Sequence, residues 1–342
     1  MKKKMKKEWL SIASIYVGTV IGAGFASGRE IIEFFGVYGI NGIWGMFIVG
    51  IILSLIGSLL LIKIYNNKIR GFDELICNIF GERFGVILDS IITFSLYTGF
   101  SVMVAGSGAI FSQELNLSFN LGVIFMVVLC FIVFLFSLEG LSFINTMLVP
   151  LLVIGIIFTS LYLNIREGYN FSNINGVNLT LKGNFLTSAL LYVGSNSLII
   201  VVVFSSLLPM INSKRTAILG GVTGGFILSI LGMSILTSML IYYNEVFLLD
   251  IPMLKICDYI SNGYRKFYAF ILWIAIFTTA LANGFGFMNK VSNSKYKILI
   301  TALYCLLSIP VARLGFSKLV AVLYPIFGLI GIFVLIFILV AL

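Results

Sequence analysis

The chain has 342 residues, 60% of them hydrophobic and only 10% charged, with a mean hydropathy of +1.12; a soluble domain of this size needs far more charge to cover its surface, so composition excludes one. The formal net charge of +9 suits short loops beside anionic lipid headgroups and makes membrane lipid, not nucleic acid, the partner. Histidine is absent, which removes the commonest transition-metal ligand, and four scattered cysteines (Cys77, Cys130, Cys257, Cys305) form no CxxC pair and suggest neither a disulfide framework nor a zinc site.

The basic start "MKKKMKKEWL" precedes an apolar run with no small-residue cleavage site, which predicts a retained first span. Ten apolar runs near the spanning length follow one another: 9–35, 40–65, 84–111, 121–136, 141–163, 184–208, 216–243, 267–288, 296–312 and 319–341. The fold class expected is therefore an all-α polytopic membrane protein with about ten transmembrane helices. Before the eighth run, "DIPMLKICDYI" (250–260) sets Leu254, Cys257 and Ile260 against Lys255 and Asp258; this predicts an amphipathic lid or loop helix. With the N-terminus inside, one side collects Lys2, Lys3, Lys4, Lys6, Lys7, Lys63, Lys68, Arg70, Arg83, Lys214, Arg215, Lys290, Lys295 and Lys297. The other side has Arg166, Lys182, Lys255, Arg265, Lys266, Arg313 and Lys318. The bias predicts a multi-pass plasma-membrane protein with both termini cytoplasmic.

The organisation expected is a basic cytoplasmic N-terminus (1–8), spans one to five (9–165), an extracellular loop (166–183) and spans six to ten (184–342). Each half holds five spans, an odd number, so the second half enters the membrane inverted relative to the first. Span one is interrupted by "IGAGFASG" (21–28) and span six by "YVGSNS" (192–197). Polar or glycine-rich interruptions at corresponding places in two halves point to a central site built on broken helices 1 and 6. Unwinding a helix in lipid strands peptide groups unless they line a cavity or bind something. The other reading of Gly18, Gly22, Gly24 and Gly28 is close helix packing of the GxxxG kind.

This layout resembles the LeuT-like 5+5 inverted-repeat fold of the amino acid–polyamine–cation superfamily. Within it, "GAGFASGREIIEFFGVYG" (22–39) is similar to the signature of YkvI-type bacterial membrane proteins. The resemblance implies a secondary active transporter of a small organic solute, an amino acid or related compound, coupled to sodium by alternating access. The alternatives are a transporter-like receptor or partner subunit that senses a solute without net flux, and a proton-coupled or uncoupled transporter. The resemblance also implies a sodium site from the Gly18, Ile21 and Ala275 carbonyls and the Thr278 and Thr279 hydroxyls; oxygen-only ligation suits a hard cation, while ordinary back-bonding to a carbonyl one turn earlier is the competing reading of the two threonines. Span five has no lysine of the kind that proton-coupled relatives use, and Phe25 stands where a second sodium site would want asparagine.

For the solute, the Ala23 and Gly24 amides, Phe25 and the stretch Tyr192, Gly194, Ser195 and Asn196 are expected to line the site, with the Ala23–Gly24 amides facing a solute carboxylate. Tyr97 is a further carboxylate partner or else an aromatic packed between helices; Asn145 faces the path or bonds a neighbouring helix. Arg29, Glu30 and Glu33 are expected to face an outer vestibule as a gate, or to cap and solvate the half-helix after the break. The LeuT-like resemblance implies an outer-gate arginine near here paired with an acid in span ten; span ten carries none, so as a gate Arg29 is expected to pair with Glu33 or Glu30 instead. No cofactor is expected beyond sodium as the coupling ion. No histidine cluster, acidic metal motif or nucleophile–base pair suggests an enzyme, and nothing in the sequence specifies an oligomeric state.

Overall fold

The computed structural model describes residues 2–69, 71–135, 141–168, 183–290 and 296–341. Most of the loop expected at 166–183, together with Arg70, Lys182 and Lys295, lies outside the described residues, as does the side chain of Asn145. The first predicted span is three helices: α1 (Lys2–Val20), α2 (Ala23–Ala26) and α3 (Arg29–Phe34). Then come α4 (Ile40–Asn67), α5 (Phe72–Gln113), α6 (Phe119–Leu135), α7 (Leu141–Glu167), α8 (Phe185–Ser205) and α9 (Lys214–Ile241). Two short helices, α10 (Tyr243–Val246) and α11 (Pro252–Asp258), precede α12 (Asn262–Lys290), α13 (Lys297–Ala312) and α14 (Phe316–Ala341).

Among the described residues, seven helices are long and apolar enough to cross a membrane, and Phe119–Leu135 and Lys297–Ala312 are shorter apolar helices. α5 begins well before its predicted span because Gly81, at φ 68°, bends an N-terminal piece away from the membrane-length part, Gly85–Gln113. Only glycine adopts that backbone without strain.

In lipid, apolar side chains gain nothing by leaving one another for hydrocarbon, so helices associate through close contact and hydrogen bonds. Small residues provide both here. Where α4 crosses α9, a Cβ on Gly225 would lie 2.4 Å from the Ser54 backbone nitrogen, and one on Gly221 would lie 2.3 Å from that of Ser58. Across the same seam the Ser58 hydroxyl donates to the Ile218 carbonyl at 3.2 Å and that of Ser54 to the Val222 carbonyl at 3.2 Å. α1 lies in the groove beside this pair, with Tyr16 fully buried over Gly57 and Gly224 and its hydroxyl donating to the Leu53 carbonyl at 2.9 Å. The opposite face of α4 presents Trp44, Phe47, Ile51 and Leu55 outward, a stripe at helical spacing suited to acyl chains.

Candidate functional site at the elbow of the first span

At the end of α1 the hydrogen-bond ladder loses its step. The Ile21 N–H still donates to the Val17 carbonyl at 2.9 Å, but the Gly22 N–H turns to the Val20 carbonyl, two residues back, at 2.8 Å. Carbonyls of the last α1 turn, Gly18 among them, are thereby released from the regular pattern. One turn of helix, α2, follows, and Gly28 at φ 79° swings the chain into α3. The left-handed backbone and the space both demand glycine: a Cβ there would lie 1.8 Å from the Met239 terminal methyl.

The elbow is tied to distant segments by its own freed groups. The Ala26 carbonyl accepts from the Tyr268 hydroxyl of α12 at 2.7 Å, and the Ser27 carbonyl accepts from the Met253 N–H of α11 at 3.1 Å. The Ser27 hydroxyl donates to the Gly24 carbonyl at 2.8 Å. Tyr268→Phe is expected to keep the fold but lower stability by about 1 kcal/mol, the net worth of one such bond, read as a fall in melting temperature of the purified protein; an unchanged melting temperature would show that this tether contributes nothing.

The charged residues after Gly28 are buried, not turned to an outer vestibule. Arg29, Glu30 and Glu33 are 9%, 5% and 7% exposed. Burial is tolerated because Arg29 is almost fully matched: it donates to Glu33 at 2.6 Å and to the Phe247 and Leu249 carbonyls at 2.8 and 3.1 Å. Glu33 is thus its partner, and Glu30 turns the other way. Its carboxylate lies on the Gly24 backbone, where a Cβ would meet Oε1 at 1.9 Å. The Tyr324 hydroxyl of α14 is within hydrogen-bonding reach of it. The segment 247–260 forms the lid over this region. In α11, Pro252, Met253, Leu254, Ile256 and Cys257 are all buried, and the backbone at Ile251 exchanges two hydrogen bonds with the Gln113 amide, at 3.0 and 3.2 Å.

Span six differs from expectation: α8 runs unbroken through 192–197. Its polar residues satisfy their side chains on their own helix. Ser195 and Asn196 both donate to the Tyr192 carbonyl at 2.9 Å, and Ser197 donates to the Val193 carbonyl at 2.7 Å. Gly194 serves a helix crossing: a Cβ on it would lie 2.0 Å from the Gly328 carbonyl oxygen of α14, and one on Gly331 would lie 1.9 Å from the Gly194 oxygen. Tyr192 does face the elbow. It is fully buried, with ring centroids 5.4 Å from Phe34 and 5.2 Å from Phe35, and its hydroxyl meets no partner of hydrogen-bond geometry among the described residues.

The residues expected to bind sodium fall into two groups. Thr278 and Thr279 share one turn of α12, and both hydroxyls donate to the Ala275 carbonyl, at 3.1 and 2.8 Å. Gly18 and Ile21 sit at the end of α1, which lies chiefly against α8 and α9, while α2 packs on α12. Ala23 and Phe25 are fully buried in the elbow. Tyr97 packs edge-on against Tyr304 of α13 with ring centroids 5.5 Å apart, the aromatic reading of this residue. Sequence reasoning missed Tyr268, Tyr324 and the 247 and 249 carbonyls; none carries a local motif.

No family model matches the chain. It is 30% identical over 332 residues to the membrane protein YkvI of Bacillus subtilis strain 168, covering 94% of this chain and 92% of that protein. The protein YyaD of the same organism is 25% identical over 328 residues, covering 94% of this chain and 93% of that protein. Among solved structures, the inward-facing conformation of Mhp1 superposes with a TM-score of 0.67 at 15% identity, covering 94% of this chain and 73% of that one. A manganese transporter of Eremococcus coleocola superposes with a TM-score of 0.55 at 13% identity, covering 97% and 79%. The fold is thus LeuT-like, as the interrupted first span already suggests, and at 30% identity over nearly its whole length the chain belongs to the YkvI family of membrane proteins.

Proposed function

We propose that this protein is a secondary active transporter of a small organic solute, an amino acid or related compound, coupled to sodium and working by alternating access, with both termini cytoplasmic. The observation that carries the reading is the double interruption of the first span, at 21–22 and 27–28, inside a LeuT-like fold. A helix interrupted in lipid is costly unless its freed groups bind something; the Ala26 and Ser27 carbonyls are met by Tyr268 and Met253, which leaves the released carbonyls at the end of α1 for a ligand. The released carbonyls of α1 suit a cation. On α12, Thr278 and Thr279 spend their hydroxyl protons on the Ala275 carbonyl, which leaves the oxygen lone pairs of both hydroxyls for a hard cation. Alternating access then consists of α1 moving against α8 and α9 below the elbow while the Arg29 clamp opens and closes above it.

The test is uptake by proteoliposomes of a panel of radiolabelled amino acids and amines, with and without an inward sodium gradient. Concentrative uptake that collapses without sodium is expected. In Thr279→Ala the sodium concentration for half-maximal uptake should rise at least about tenfold, the equivalent of ~1.4 kcal/mol of lost ligation. Uptake indifferent to sodium in both proteins would remove the coupling claim.

A further inference from the structure

Beside Gly24, at the elbow of the first span, the structure places a buried carboxylate of the protein's own. Glu30 lies flat on Gly24, so close that a Cβ there would stand 1.9 Å from Oε1. Glu30 is 5% exposed and is left out of the neighbouring ion pair, because Arg29 spends its guanidinium on Glu33 and on two lid carbonyls. Among the described residues no lysine or arginine pairs with it; its polar neighbour is the Tyr324 hydroxyl. On the α8 side, Tyr192 is fully buried and close enough to Glu30 and Tyr324 to interact electrostatically; the Asn196 amide lies beside it, but among the described residues its hydroxyl has no partner of full hydrogen-bond geometry.

We infer that Glu30 is the carboxyl group that pairs with solute in the central site and that the site takes an organic ammonium carrying no carboxylate of its own. The inference rests on the transporter reading above and narrows its solute. A buried carboxylate without a counter-charge is strongly disfavoured in a membrane interior, and an ammonium answers it with charge and with up to three N–H donors. The Tyr192 oxygen accepts one of those donors. A solute carboxylate placed beside Gly24 would, by contrast, meet the ionised Glu30 as a like charge. Gly24 is required because any side chain there would push the carboxyl group off the elbow.

The experiment compares matched pairs that differ only by the carboxylate: ethanolamine with serine, isoamylamine with leucine, and phenethylamine with phenylalanine. Each is added in sodium buffer, up to about 10 mM, to the purified full chain, and the melting temperature is followed; a millimolar site is filled at that concentration. In at least one pair the amine should raise the melting temperature and its amino acid should not. Glu30→Gln should abolish the shift. Gly24→Ala displaces only the free end of the Glu30 side chain, so it should fold and bind the amine at least about tenfold more weakly, the scale of a charge-assisted contact. An amino acid that stabilises as well as its amine, an amine that acts equally on wild type and Glu30→Gln, or no shift with any amine would each overturn the inference. Failure here with sodium-driven amino acid uptake intact removes only the ammonium assignment. Amine binding with no flux of any solute would instead remove the transporter reading and leave an ammonium receptor.

Discussion

Gly194→Ala is expected to destabilise the protein severely, although it adds a single methyl group. The added Cβ would lie 2.0 Å from the Gly328 carbonyl oxygen, and that neighbour is backbone, which cannot rotate away. The same crossing is tight from the other side, where a Cβ on Gly328 would stand 2.4 Å from the Leu191 oxygen and one on Gly331 would stand 1.9 Å from that of Gly194. Relief requires α8 and α14 to separate along their whole contact. Overpacking a core costs about 1–3 kcal/mol, and a backbone-to-backbone clash belongs at the upper end, a large share of a total stability of ~5–15 kcal/mol. Gly263→Ala, at the start of α12 with no atom within 4 Å of its Cβ position, is the matched control. The measurement is thermal unfolding in detergent together with the yield of monodisperse protein. If Gly194→Ala melts like the control but loses solute binding, Gly194 lines the site and the crossing tolerates a wider seam.

This glycine also marks how far the sequence could be read. The spans were legible because hydrocarbon imposes one requirement on many consecutive residues: the run 40–65 becomes Ile40–Asn67, and the run 121–136 becomes Phe119–Leu135. The first interruption was legible because four glycines and three charges inside one apolar run have few uses in lipid. The second was misread because glycine, serine and asparagine have two uses there. In 192–197 the hydroxyls and the amide bond back to their own helix, and the glycine admits α14; neither use opens the backbone. The partners of Arg29 were half legible. Glu33 lies one turn away on the same helix, whereas the Phe247 and Leu249 carbonyls are 218 and 220 residues distant and are recruited as backbone, which no side-chain pattern announces. The same holds for Tyr268 at Ala26 and Tyr324 at Glu30.

On the proposed topology, with both termini cytoplasmic, Arg29→Ala should open the outer side. The side chains of Arg29 and Glu33 are 10% and 6% exposed, so removing the guanidinium leaves Glu33 a buried carboxylate deprived of its cation; breaking a buried pair from one side costs ~3–5 kcal/mol. Two lid carbonyls lose their donor at the same time. The structure relieves this most directly by letting water in where the guanidinium held the segment 247–253, which stays tied by Met253 to Ser27, by Ile251 to Gln113 and by the Asp250 carboxylate to the Ser317 N–H. The lid carries its own reporter. Cys257 is fully buried on α11, and burial pushes its thiol up, above the ordinary cysteine range, so in the closed protein it is shielded and poor in the reactive thiolate. In right-side-out vesicles a membrane-impermeant maleimide should label wild type slowly and Arg29→Ala at least several-fold faster, with the gain abolished by adding Cys257→Ser. Arg29→Lys keeps the charge but not the planar fork that reaches Glu33 and both carbonyls together, and should fall between the two. Labelling that is equally slow in all three proteins would mean that the lid is held by α11 packing and that the Arg29 clamp does not control access to the elbow.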